Sequence, residues 1–293
     1  MSIFTKLFSS KKTKSIYILG GEIEFNGDEE CYQFFKNQMT DEKTAKNFSE
    51  YLEFIFENET LKKAFNYDGE FKTEKLLLKS EIGINIPAIN NNPLLNFFEN
   101  KNGLHQLGGE KPEEFEFPEN NCVVPFQYLG FINNSDKNFS WLGNKIHLIC
   151  PIYLDFDKIY IDYSDPSKPI LINREEIDSA TTAYDEDLNK NSEIVFRSLK
   201  FDLKENTEFN EVCHSGIPFW IQYPEYPISP KNNKKMKFVI QINGGLDAER
   251  TNVNPKDEFY RHYYENMNFW GDGDLYFFYE PESKVGCYFI QNT

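Results

Sequence analysis

Between Val123 and Gln291 the sequence keeps returning to one pattern. Short runs of β-branched and aromatic residues alternate with clusters of turn formers: "VVPFQYLGFI", "KIHLICPIYL", "KIYIDY", "KFVIQI", "DLYFFYE" and "VGCYFIQ". Such runs suit a pleated, largely buried surface and are too short for core helices. This part of the chain is therefore expected to be strand-dominated. "EPESK", Glu280–Lys284, has the make-up of a hairpin loop between Asp274–Tyr279 and Val285–Gln291. A second hairpin is expected around Asp155–Lys158, within "LDFDKIYIDY". Residues 174–193 and 255–267 read as added helices. In the second, Asn254 is the cap, Pro255 takes the first helical position, and Asp257 and Glu258 follow.

The first hundred residues read differently. "SIYILGGEIEF" is a strand interrupted by Gly20-Gly21. Asp28 then caps a helix carrying Tyr32, Phe35 and Met39. A second helix opens near Asp41 and runs to about Phe65, with Ala45, Phe48, Leu52 and Ile55 on one apolar face. From Lys72 the chain turns rich in Asn and Pro, which marks a boundary near residue 100. The expected architecture is α+β. An N-terminal strand and helices, residues 1–100, would cap a mostly antiparallel β-rich body, residues 101–293, with two similar halves.

Charge narrows the partners. The chain carries 47 acidic and 31 basic side chains, a net of -16. Nucleic acids and anionic membranes both require a basic face, so neither is expected. A basic protein partner is favoured, because an acidic surface speeds its encounter. The five cysteines, Cys31, Cys122, Cys150, Cys213 and Cys287, are scattered and form no C-x-x-C pair. They read as reduced thiols in the cytoplasm. No signal-peptide core opens the chain, and no run reaches the 18 or so apolar residues of a membrane span.

Two stretches resemble each other. One is Gly109, Pro112, "FQYLGFI", "HLICPIYL" and "KIYIDY"; the other is Gly216, Pro218, "FVIQING", "DLYFFYE" and "VGCYFIQ". Each opens on Gly and Pro, continues with a strand carrying a glutamine (Gln127 or Gln241), and adds two later strands able to pair. In the second stretch "SGIPFWIQ" (Ser215–Gln222), "MKFVIQI" (Met236–Ile242) and "FWGDGDLYFFY" (Phe269–Tyr279) follow one another. This order resembles the YwqG-like family of bacterial proteins, over roughly residues 105–293. "HQLGGEKPEEF" (His105–Phe115) is similar to that family's Gly-Gly-x-Pro opening, but it places three residues between Gly108 and Pro112 and lacks the following Trp-x-Gln. The resemblance implies an α+β fold with internal pseudo-symmetry. It implies no enzymatic activity, and some members are thought to act in interaction or toxin immunity.

The chemistry-bearing residues give no reaction. In "GDGD", Asp272 and Asp274 are followed by Leu275, Tyr276 and Phe277, which cannot ligate a cation. A phosphate cradle would need a helix after the glycines, and two carboxylates would repel phosphate. The motif reads as a turn in which Gly271 and Gly273 supply positive φ and the aspartates bond turn amides. Cys213 and His214 are adjacent on an extended chain and point to opposite faces. The four histidines, His105, His147, His214 and His262, lack zinc spacing. Asp155, Asp157, Asp162 and Asp165 crowd one segment and read as caps or solvent-facing acids. No catalytic residue, metal or cofactor is expected. The candidate ligand or partner seam between the halves is Trp220, Gln222, Gln241, Trp270, Asp272 and Asp274. The expected function is a non-enzymatic intracellular binding protein, of toxin-immunity type, engaging a basic toxin domain. The alternatives are an enzyme or small-ligand binder using the seam, and a structural subunit.

Overall fold

The computed structural model describes residues 95–292 apart from 185–186, 206–211, 217 and 223–224, together with the backbone of five strands among the first 94 residues. The chain divides into two compact units: Met1–Asn92 with Phe219–Glu225, and Pro93–Pro218 with Tyr226–Thr293.

In the first unit β1 (Lys14–Ile18) and β2 (Gly21–Phe25) pair antiparallel, from Lys14↔Phe25 to Ile18↔Gly21. A three-stranded antiparallel sheet joins β3 (Glu53–Glu57), β4 (Thr60–Asn66) and β5 (Gly69–Phe71). The helix expected to run to Phe65 is therefore replaced, over its second half, by two strands. "EFIFE" is aromatic and β-branched. Its apolar spacing satisfies a helix and a ladder equally, and a partner strand decides the outcome. The helix expected from Asp28 to Met39 lies outside the described residues.

The second unit holds β6 (Leu95–Glu99), β7 (His105–Leu107), β8 (Gln127–Ile132), β9 (Ile146–Cys150), β10 (Ile159–Asp162), β11 (Ile170–Leu171), β12 (Ile194–Phe196) and β13 (Leu199–Glu205). Beyond them come β14 (Cys213–Ser215), β15 (Lys237–Ile242), β16 (Ala248–Thr251), β17 (Asp274–Glu280) and β18 (Val285–Gln291). Eleven of these form one antiparallel sheet in the order β11-β10-β18-β17-β15-β14-β6-β13-β7-β8-β9, and β12 pairs with β16. Helical structure among the described residues is confined to two short α-helices, Arg174–Ser179 and Arg261–Glu265, and to 3-10 turns at Lys137–Leu142 and Glu258–Tyr260. The α+β expectation is thus overturned: the described chain is mostly β. None of its helices is long and apolar enough to cross a membrane.

The strands of the two similar stretches share one sheet, and the third strand of the first stretch, β10, pairs with β18 of the second. The hairpin expected at Asp155–Lys158 is absent for the same reason, since β10 takes its partners from β11 and β18. The hairpin around Glu280–Lys284 does form, in register from Asp274↔Gln291 to Glu280↔Val285. Its turn is stabilised by the Glu280 carboxylate, which accepts from the Ser283 N–H at 2.6 Å and the Glu282 N–H at 3.3 Å. Every residue of β17 is buried. Leu275, Phe277 and Tyr279 join the main core, while Tyr276 and Phe278 point the other way and stack on Phe289. Burial on both faces explains why "DLYFFYE" reads as continuous rather than alternating.

The sheet rolls until its β9 edge meets side chains standing on the far strands. On that edge, the Ile149 N–H donates to the Tyr288 hydroxyl at 3.3 Å, and the Tyr163 hydroxyl donates to the His147 carbonyl at 2.9 Å. The two phenol oxygens lie 2.7 Å apart. The Tyr163 proton is committed to His147, so Tyr288 donates to Tyr163 and the four groups form one satisfied chain. Ile149, Tyr163 and Tyr288 lie in the buried core, where an unpaired ladder group is costly.

Candidate functional site

A cleft of about 510 Å³ opens beside the start of β8, a size suited to a small ligand. Three segments line it: Gly109–Lys111, the loop from Phe117 to Tyr128, and Lys190–Val195 leading into β12. The inner wall is made of buried side chains, among them Cys122, Val124, Phe126, Gln127, Tyr128 and Ile194. The rim is exposed and charged, with Glu110, Lys111, Lys190 and Glu193.

Local sequence explains each wall. Gly109 sits at φ +83°, and a Cβ there would come within 2.5 Å of Gln106 Nε2. Only glycine lets this segment fold tightly enough for its N–H to reach the Phe196 carbonyl at 2.8 Å. In the loop, the Asn120 carboxamide accepts from the Cys122 N–H and donates to the Pro118 carbonyl, closing a side-chain turn. Asn121 donates both its backbone N–H and its Nδ2 to the Asp178 carboxylate on the helix Arg174–Ser179. Arg174 then bridges Asp178 and Glu119. On the third wall, Ser192 Oγ accepts from the Asn189 N–H, and the Glu193 N–H is held by Asn252 Oδ1 at 2.7 Å. Arg250 spans two walls, pairing with Glu110 at 2.8 Å and Glu193 at 2.7 Å.

Gln127 is the polar group of the inner wall. It is only 3% exposed, and its Nε2 makes one long bond, 3.4 Å, to the Pro125 carbonyl. Its carboxamide oxygen has no hydrogen-bond partner among the described residues and is left to the cleft that Gln127 lines. The titratable groups beside it are not activated. Burial, with help from the Asp178 charge, pushes the Cys122 thiol up to about 11. Burial and Glu114 also push the Tyr128 phenol upward. Tyr128 is hydrogen-bonded to His147 Nδ1 at 2.9 Å, and burial, reinforced by Lys145, lowers His147 to about 4. At neutral pH the cleft therefore presents a thiol and a phenol, the phenol bonded to a neutral imidazole behind it. A nucleophilic site needs the opposite shift at its attacking atom.

The residues named from the sequence fall in three places. Gln241 and Asp274 meet: Gln241 Nε2 donates to Asp274 Oδ2 at 2.6 Å and to the Tyr276 hydroxyl at 3.2 Å. Burial raises Asp274 to about 6 against the opposing bonds from Gln241 and Asn243, with the Asp272 charge adding to the rise. Gln241 belongs to a buried polar row, Asn96, His214, Gln241 and Tyr276, set side by side across β6, β14, β15 and β17. Trp270 lies elsewhere, 4.7 Å from Tyr184, with Asp272 exposed two residues on. Trp220, buried, and Gln222, exposed, belong to the Phe219–Glu225 segment of the first unit.

The "GDGD" turn forms by other means than the sequence suggests. Positive φ falls on Trp270 (+58°) and Gly271 (+94°), not on Gly273. Asn268 holds the turn, accepting from the Gly271 N–H and donating to its carbonyl. Gly273 is required because a Cβ would stand 2.2 Å from the Phe269 carbonyl oxygen. Among the described residues no group of three or more His, Cys, Asp or Glu is placed to hold a metal ion. Cys213 faces the main core and His214 belongs to the polar row, on the opposite face. The described cysteines Cys122, Cys150, Cys213 and Cys287 are free thiols.

Sequence reasoning named Gln127 only as a strand residue. The signal that marks it is a lone carboxamide between apolar neighbours, Phe126 and Tyr128, that the structure buries. Comparison of the chain with family models, with curated proteins and with solved structures gave no match. The YwqG-like resemblance accordingly rests on the order of its three motifs.

Proposed function

We propose that this chain is a non-enzymatic binding protein whose ligand site is the cleft beside Gln127. The observation that carries the reading is the carboxamide of a largely buried glutamine that opens onto the cleft, its oxygen without a protein partner among the described residues, set in a wall of Phe117, Phe126 and Tyr128. An acceptor in that position selects a ligand with an N–H or O–H donor, and the rings favour a flat apolar body. Lys190 forms no ion pair among the described residues and stands at the rim, where it would receive an anionic group. The free thiols fit a reducing cytoplasm, and the three-motif order supports kinship with the YwqG-like proteins.

The test is a thermal-shift panel of hydroxybenzoates, indole carboxylates and their neutral amides, on the wild type and on Gln127→Leu. A ring-bearing acid that raises the wild-type Tm should lose at least most of that shift in the variant. No shift with any panel member, or equal shifts in both proteins, would overturn the proposal.

The net charge of -16 favours a second reading, in which the chain also engages a basic protein through an acidic face. A toxin domain of that charge is one such partner. Binding of this kind should weaken steeply as salt rises.

A further inference from the structure

Aromatic rings gather at the surface around Trp270. Tyr184, Tyr260, Tyr263 and Trp270 are all partly exposed and share ring contacts. Tyr184 is the hub, with ring centroids 4.5 Å from Tyr263, 4.7 Å from Trp270 and 6.3 Å from Tyr260. The platform is stiff. The Tyr184 N–H donates to the Tyr153 carbonyl at 2.8 Å, and the Tyr153 hydroxyl donates to the Tyr263 carbonyl at 3.2 Å. Asn268 fixes the turn that presents Trp270. Rigid aromatic groups lose little entropy on binding, which suits them to anchoring a partner.

The charge around the platform is acidic. Asp257, Glu258, Glu265 and Asp272 are exposed on the elements that carry the rings. The two lysine and arginine side chains of those elements are already engaged, Lys256 with Asp187 at 2.9 Å and Arg261 with Glu258 at 3.0 Å. His262 lies against Tyr263, 3.7 Å between ring centroids.

Elsewhere the chain places its own lysines over rings. Lys145 stands over Phe131, Lys204 over Phe98, Lys235 over Tyr226 and Lys237 over Trp141, with the ammonium 3.5 to 5.2 Å from the ring centre. No lysine or arginine of the described residues stands over Tyr184 or Trp270. Partly exposed rings in acidic surroundings, with no lysine or arginine of the described residues over Tyr184 or Trp270, suit a cation supplied from outside.

We infer that the Tyr184–Trp270 platform docks a basic segment of a partner protein, with an arginine or lysine side chain over the rings and its neighbours against Asp272 and Glu265. This rests on the second reading above, that the acidic face engages a basic protein, and locates the contact. It is independent of the cleft.

The probe is a synthetic ten-residue peptide alternating arginine and serine, with a glutamate–serine peptide as its control, titrated by calorimetry at low and at physiological salt. The arginine peptide should bind, and affinity should fall about tenfold or more between the two salt conditions. Trp270→Leu should weaken binding about fivefold or more and Trp270→Phe by less, each with an unchanged Tm. Asp272→Asn, which keeps the side chain's size and removes its charge, should weaken binding and flatten the salt dependence. Binding that Trp270→Leu and Asp272→Asn leave unaltered would overturn the platform while keeping the acidic-face reading. Absence of binding at low salt would overturn both. Tetramethylammonium binding as tightly as the peptide would make this a small-cation site, and a dimer lost in Trp270→Leu would make it a self-contact; either result overturns the inference.

Discussion

Gln127 and Gln241 stand on strands of similar sequence, "FQYLGFI" and "FVIQING", and both are almost wholly buried. Gln241 is fully engaged, with Asp274 and Tyr276 within hydrogen-bonding distance. Gln127 has one long bond to Pro125 and opens onto a cleft. The difference lies in what the neighbouring strand supplies. Opposite Gln241 stands β17, whose Asp274 and Tyr276 satisfy the amide. Opposite Gln127 stands Cys150, which offers no comparable acceptor or donor. The same side chain is thus a structural tie in one place and an accessible recognition group in the other, and its identity alone does not say which.

The comparison breaks most visibly in stability. Gln241→Leu leaves the Asp274 carboxylate buried without its closest donor, so it should destabilise by about 2–4 kcal/mol. Gln127→Leu removes one long bond and should cost under about 1 kcal/mol. Paired denaturant titrations read the contrast, and equal losses would dissolve it.

The next largest effect is in pH. The folded-state value of Asp274, about 6, lies above its ordinary 3.8. The native state therefore holds that proton more tightly than the unfolded chain. Stability from this group falls as pH rises from about 4 to about 6, by on the order of 2–3 kcal/mol. His147 has the opposite sign. Its value drops from 6.5 to about 4, so its contribution is complete above pH 6.5 and is lost as pH falls toward 4. The two slopes oppose each other between about pH 4 and 6, so over that window Tm should climb more steeply with pH in Asp274→Asn than in wild type and should fall with pH in His147→Asn. Variant curves parallel to wild type would refute both assignments.

Ligand recognition gives a smaller contrast. A ligand of the cleft that donates to Gln127 should bind about tenfold more weakly to Gln127→Leu, while Gln241→Asn, which keeps a donor, should leave its affinity within about twofold. The smallest effect is expected at the rim. Arg250 joins two exposed carboxylates, and exposed pairs contribute little, so Arg250→Ala should change stability by under about 0.5 kcal/mol in chemical denaturation.

Strands and the last hairpin were legible because their signals are local. "DLYFFYE" and "VGCYFIQ" are continuous apolar runs separated by a loop of turn formers, and the ladder follows. The stretch before Phe65 misled because its apolar spacing suits two periods, and only the pairing of β3 with β4 separates them. The expected Asp155 hairpin failed through a longer-range fact, the pairing of β10 with a strand more than a hundred residues away. The cleft was illegible for the same reason. Gly109, Gln127 and Ile194 share a wall only after β8 and β12 have been brought together, and no local pattern announces that. At the "GDGD" turn the shape was readable but the agent was not: Asn268, outside the motif, holds it, and the aspartate that matters turns inward to Gln241.

The paired phenols of Tyr163 and Tyr288 have an implication for how this chain behaves in company. A bare strand margin is a template on which a second molecule can zip itself. On β9 that template is already written over at two successive positions, by groups that cannot propagate a ladder. An intruding polypeptide would have to evict two interlocked rings from a dry interior before gaining its first bond. Replacing either tyrosine by phenylalanine keeps the bulk and reopens the template, so the danger in such a variant is less a loss of folding than an appetite for neighbours.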